Sequence, residues 1–79
     1  MAQSTSVSAS QMVAALEQAG LRPTRPRGAV IAQIATWSAV GTFFTSEELW
    51  RATRDHAPWI GRSTAFRTVE LLAAFGFLD

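Results

Sequence analysis

The chain has no cysteine, no lysine and a single histidine, His56. The missing cysteine excludes disulfides, thiolate zinc sites and a cysteine nucleophile. One imidazole with scattered carboxylates is a poor ligand set for zinc. His56 is read instead as a solvated residue near a helix C-terminus, where the dipole favours it. Ser-His-Asp hydrolysis would rest on that one histidine, and no nucleophile elbow accompanies it. No glycine-rich phosphate loop is present. The chain is therefore read as non-enzymatic. No apolar run approaches the length of a membrane span. The start, Met1 to Ala9, lacks the basic region and apolar core of a signal peptide. It is read as a disordered tail over 1–9, ahead of one domain over 10–79, in a soluble cytoplasmic protein with no membrane partner.

What is present fits a small folded domain. Hydrophobic residues make up 48% of the 79, too many for a disordered chain. A chain this short buries only ~60% of its unfolded surface, so its core is marginal. The net charge is +1, which by itself does not point to nucleic acid. The distribution is more informative, because all seven basic residues are arginine. Arginine forks onto phosphate and guanine. Arg22, Arg25 and Arg27 form one group, and Arg62 and Arg67 another, with no acidic residue inside either. Arg51 and Arg54 stand among Glu47, Glu48 and Asp55 and read as a solvated helix face with intrahelical pairs.

The pattern predicts four helices. The first runs from about Ser10, as N-cap, to Ala19, with Met12, Val13, Leu16 and Ala19 as its apolar stripe and Gly20 as its stop. Thr24 caps the second, with Pro26 in its first turn and an end near Trp37 or Ser38. Ala29, Val30, Ile34 and either Trp37 or Ile31 face inward. Phe43 and Phe44 form a short extended link. Thr45 and Glu48 make a capping box for the third helix, which buries Leu49 and Ala52, half-covers Trp50 and ends around His56 before Pro58. The fourth helix begins at Arg62 or Ser63 and ends at Gly76. Phe77 and Leu78 then read as the start of a strand. One core is expected from Leu16, Val30, Ile34, Leu49, Ala65, Val69 and Leu72.

The fourth helix carries the chemistry. Ala65, Val69, Leu72 and Phe75 recur at helical spacing and form the inward stripe. Thr64, Phe66, Arg67 and Glu70 point elsewhere. Arginines, hydroxyls and a ring in the first turns suit a major-groove reader. Arginine pairs bidentately with guanine, a ring meets a thymine methyl, and hydroxyls bind phosphate or base. The competing reading is an ordinary surface helix with a stray phenylalanine.

The order of motifs resembles a known family. A helix leads to Gly20-Leu21-Arg22-Pro23-Thr24-Arg25-Pro26-Arg27, and a second helix leads to Phe44-Thr45-Ser46-Glu47-Glu48-Leu49-Trp50. Pro58 to Leu72 and then Gly76-Phe77-Leu78 follow. This resembles the N-terminal winged-helix domain of the ferric uptake regulator family from about Met12 to Asp79. The resemblance implies a mainly α fold, a winged helix-turn-helix-like bundle of four helices with an incomplete wing. It implies a DNA-binding repressor of metal-ion homeostasis, with double-stranded DNA as partner.

The family's Thr-Val-Tyr-Arg-Thr core falls on Thr64, Ala65, Phe66, Arg67 and Thr68. Arg67 would then contact base or phosphate. Phe66 would keep the ring and lose the hydroxyl of the usual tyrosine. Thr24 and Arg27 fall on a Thr-x-x-Arg whose arginine is expected at the DNA backbone. The resulting DNA-binding set is Arg22, Thr24, Arg27, Arg62, Ser63, Thr64, Phe66 and Arg67, with Glu70 holding Arg67 until DNA arrives. Many family members place a regulatory metal-ligand histidine where this chain has Phe43. No cofactor is therefore expected in this chain, whereas full-length members bind zinc and a regulatory iron, zinc or manganese ion. The chain reads as a truncation before the wing and the metal-binding dimerisation domain. A homodimer is expected only of a full-length member. The alternatives are a truncated helical protein-interaction module without operator binding, and a winged helix outside this family.

Overall fold

Three of the four helices among the described residues start where a side-chain cap takes a first-turn amide, and the fourth starts after Gly61 without one. The computed structural model describes residues 8–78 and contains four helices among them: α1 (Ala9–Gln18), α2 (Arg25–Ala39), α3 (Ser46–His56) and α4 (Arg62–Ala74). The fold is mainly α, and no strand occurs among the described residues. Thr24 accepts from the Arg27 amide at 3.2 Å and starts α2, with Pro26 in the first turn. Thr45 and Glu48 form the expected box, with Glu48 Oε1 accepting from the Thr45 amide at 2.8 Å.

The cap of α1 is a correction. It is Ser8, not Ser10, and the helix starts at Ala9. The reason lies three residues on: Gln11 reaches back to the Ser8 amide at 2.9 Å while the Ser8 hydroxyl takes the Gln11 amide. A box counted from Ser10 would need Val13 to do the same, and valine has no acceptor. Of the expected tail, residues 1–7 lie outside the described residues. The far end of α2 reaches Ala39, slightly beyond the expected stop.

The helix ends also follow local rules. Gly20 takes φ 87°, and the Leu21 amide donates to the Leu16 carbonyl at 2.9 Å. That Schellman closure needs a left-handed residue, which glycine supplies without a Cβ penalty. Gly76 closes α4 the same way, with the Phe77 amide on the Leu72 carbonyl at 2.9 Å. This closure also corrects the strand expected at Phe77 and Leu78. The closure turns the chain back, and both side chains pack half-buried against the core.

α2 lies at the centre, packed on α1, α3 and α4, and α3 packs on α4. The expected core residues all gather there: Leu16, Val30, Ile34, Leu49, Ala65 and Leu72 are buried, and Val69 is half-buried against them. Met12, Ile31, Ala57 and Ile60 complete the core. Three inward expectations fail. Ala19, the last of the expected α1 stripe, is exposed as that helix's C-cap. Phe75 is 39% exposed, because it caps α4 after the last turn. Ala52 is only half-buried and Thr53 is buried in its place. The Thr53 hydroxyl donates to the Leu49 carbonyl at 2.7 Å, which removes the penalty for burying it. Thr68 is buried by the same device, donating to the Thr64 carbonyl at 2.7 Å.

The segment joining α3 to α4 is tied down rather than loose. Ile60 donates its amide to the Ala57 carbonyl at 3.0 Å, and the Trp50 indole N–H donates to the Ile60 carbonyl at 3.2 Å. Ala57 and Ile60 are buried beneath it. The start of α4 is therefore fixed relative to α3.

Candidate nucleic-acid interface

The packing of α2 on α4 brings distant parts of the chain together. The first turn of α2 and the outer side of α4 enclose an open groove of ≈ 280 Å³. Thr24 and Arg27 line one wall, and Thr64 and Arg67 line the other. These four were singled out from separate motifs, and the fold places them at one hollow. Thr24 Oγ1 accepts from the Arg27 amide as the cap, which leaves its O–H to donate. Arg27 reaches back and donates from Nη1 to the Arg22 carbonyl at 2.8 Å. That bond fixes the Arg22–Thr24 approach and holds one edge of the Arg27 guanidinium. The other donors of the fork stay available.

Ser63 stands exposed in the first turn of α4, and Arg22 stands exposed before α2. Arg67 is exposed further along α4. Both ion pairs among the described residues use Glu47, so Glu70 does not hold Arg67 as expected. Without DNA, Arg67 therefore has no carboxylate to leave.

Arg62 and Phe66 behave as one unit. Arg62 Nε donates to Glu47 Oε1 at 2.9 Å, and its guanidinium lies 4.3 Å from the centre of the Phe66 ring. The carboxylate and the ring hold it from two sides. Glu47 also meets Arg51 at 3.4 Å, one turn along α3, as expected for that helix face. Side-chain exposure of 58% for Arg62 and 34% for Glu47 makes the pair modest in energy, since solvent screens it. The pair links the first turn of α3 to the first turn of α4.

Three contacts leave little or no trace in the sequence pattern. The sequence pattern puts Glu47 on a solvated helix face and gives it no partner on another helix. Its bond to Arg62 spans 15 positions and leaves no periodic trace. Arg25 was grouped with Arg22 and Arg27 but given no partner, and its guanidinium sits 4.6 Å from the centre of the Trp59 ring. A similar stack puts Arg54 4.8 Å from the Trp50 ring. Arginine near tryptophan in sequence is a weak hint at such stacks, and none exists for pairs this far apart.

With this geometry in place, the comparison with known families becomes decisive. The sequence profile described as "Ferric uptake regulator family" matches residues 18–79, most of the chain. The chain belongs to the ferric uptake regulator family. No curated protein and no solved structure shows significant similarity to it. The family is one of metal-responsive, DNA-binding transcription regulators, which agrees with an arginine-lined groove beside α4.

No three His, Cys, Asp or Glu side chains come together among the described residues. His56 is exposed at the end of α3, and Phe43, at the position where many ferric uptake regulators carry a ligand histidine, is 98% exposed. No helix among the described residues is long and apolar enough to cross a membrane.

Proposed function

We propose that this chain is the DNA-reading domain of a cytoplasmic, metal-responsive transcriptional repressor, with α4 as its recognition helix. One observation carries the reading: the groove that unites Thr24 and Arg27 of α2 with Thr64 and Arg67 of α4. In this reading α4 enters the major groove N-terminus first. Ser63 and Thr64 lead, and Arg67 pairs with a guanine edge. Phe66 offers its ring edge to a thymine methyl while Arg62 covers one face. Arg27 and Arg22 approach the phosphates, which sets affinity and register without sequence information.

Repression in this reading is occupancy. A domain bound across a promoter excludes other proteins from the same groove. The described residues of this chain read DNA and leave the sensing of metal to other groups.

Titration with duplex DNA at two salt concentrations tests the reading. With ~3 phosphate contacts, log affinity falls against log salt with a slope of roughly −3. A protein-interaction module, the competing class, would show no such dependence. Loss of duplex binding, or binding indifferent to salt, would overturn the proposal.

A further inference from the structure

Beside the groove stands an arginine that the proposed function leaves idle. Arg25 is in the first turn of α2, next to Thr24 and two residues from Arg27. Its guanidinium lies 4.6 Å from the centre of the Trp59 ring. Trp59 is 48% exposed, a large apolar surface to leave in water. The turn that carries it is not loose. Ile60 on its C-terminal side is buried, and the Ile60 carbonyl accepts from the Trp50 indole at 3.2 Å. Trp59 is therefore a braced, exposed platform.

The charge on that platform is uncommitted. Among the described residues both ion pairs converge on Glu47, and neither involves Arg25. No hydrogen bond from its side chain to the described protein occurs either. A guanidinium lying against a ring keeps its N–H fork at the rim, directed at solvent. Stacking also restricts its rotamers, so less freedom is lost when the fork takes an anion. A planar fork held in place matches the paired oxygens of a phosphate.

Position narrows the ligand. Trp59 lies three residues before Arg62, the first residue of α4. The Arg25–Trp59 pair thus flanks the groove at the end from which the recognition helix leads. A phosphate there belongs to the DNA strand beside the bases that α4 reads. We infer that Arg25 and Trp59 form a phosphate clamp on duplex DNA, in which Arg25 makes the contact and Trp59 acts only by holding it. The inference rests on the DNA-reading function proposed above.

The test titrates five proteins with a random-sequence duplex at about 50 and about 200 mM salt. They are the wild type, Arg25→Ala, Trp59→Leu, the double variant and Arg27→Ala. Both clamp side chains are exposed, so circular dichroism should show all five equally helical. One phosphate contact carries about 0.9 of salt slope. Over this fourfold rise in salt the wild type should lose roughly threefold more affinity than Arg25→Ala. Trp59→Leu should weaken binding by less than Arg25→Ala. The double variant should match Arg25→Ala, because the ring acts only through the guanidinium.

An unchanged salt slope in Arg25→Ala, with a shallower slope in Arg27→Ala, would overturn the clamp and leave the DNA reading intact. Additive losses in the double variant would also overturn it, since Trp59 would then contact DNA on its own. A wild type without salt-dependent binding would overturn both.

Discussion

The hollow between the start of α2 and α4 carries Arg27 and Arg67, whereas the larger hollow, ≈ 620 Å³, carries no charged residue at all. The larger one lies between the end of α2 and the returning chain at Phe77 and Leu78, with Phe43 and Phe44 along its edge. Both are built by the same central helix, one near each end of it. Size alone would favour the uncharged hollow. Charge favours the smaller one, because DNA is met first through its phosphates. With a net charge of +1, placement and not total charge separates the two sides of this molecule.

The harshest way to break the contrast is to remove the core that shapes both hollows. Leu72 is fully buried in α4. Leu72→Ala should cost ~2–5 kcal/mol, enough to unfold so small a domain. Thermal melting followed by circular dichroism reads this, and a melt like that of the wild type would refute the assigned buried face.

A finer cut separates the two arginines of the charged hollow. Arg67→Ala should cost ~1–3 kcal/mol on a duplex selected from a random pool, and less on unselected DNA. The ratio of the two affinities is the readout. If it stays constant, α4 is not the reader. Arg27→Ala should act differently, weakening both duplexes alike and making the salt slope shallower by about 0.9. Its bond to the Arg22 carbonyl adds a small structural component, visible in the melting temperature.

The smallest effect belongs to the uncharged hollow. Phe43 is 98% exposed there, so Phe43→Ser should shift stability by no more than about 0.5 kcal/mol. DNA affinity and its salt slope should not move. A clear loss of DNA binding in this variant would erase the distinction between the two sides.

Helix limits were legible because caps are local. Thr24, the Thr45–Glu48 box and the glycines at positions 20 and 76 each act on amides or carbonyls within one turn or so of themselves. The misreadings came where two local patterns competed. Ser8 and Ser10 are both good caps, and only the Gln11 side chain separates them. Phe77 and Leu78 have strand-like composition, yet the Gly76 closure directs them onto the core. Thr53 and Thr68 look polar in sequence, but each hydroxyl finds a carbonyl in its own helix and can be buried.

The sequence by itself determined the four helices, most of the buried apolar residues and the outward placement of Arg67 and Glu70 on α4. Those follow from periodicity and from hydrogen bonds that close over three to five residues. Only the tertiary structure decided which arginines act together. It joined Arg62 to Glu47 and Phe66, set Arg25 against Trp59, left Arg67 clear of Glu70, and made one groove of Thr24, Arg27, Thr64 and Arg67. The physical reason is range. A cap is satisfied within its own turn, but a guanidinium on a long flexible stem takes its partner from whichever element the core packing brings beside it.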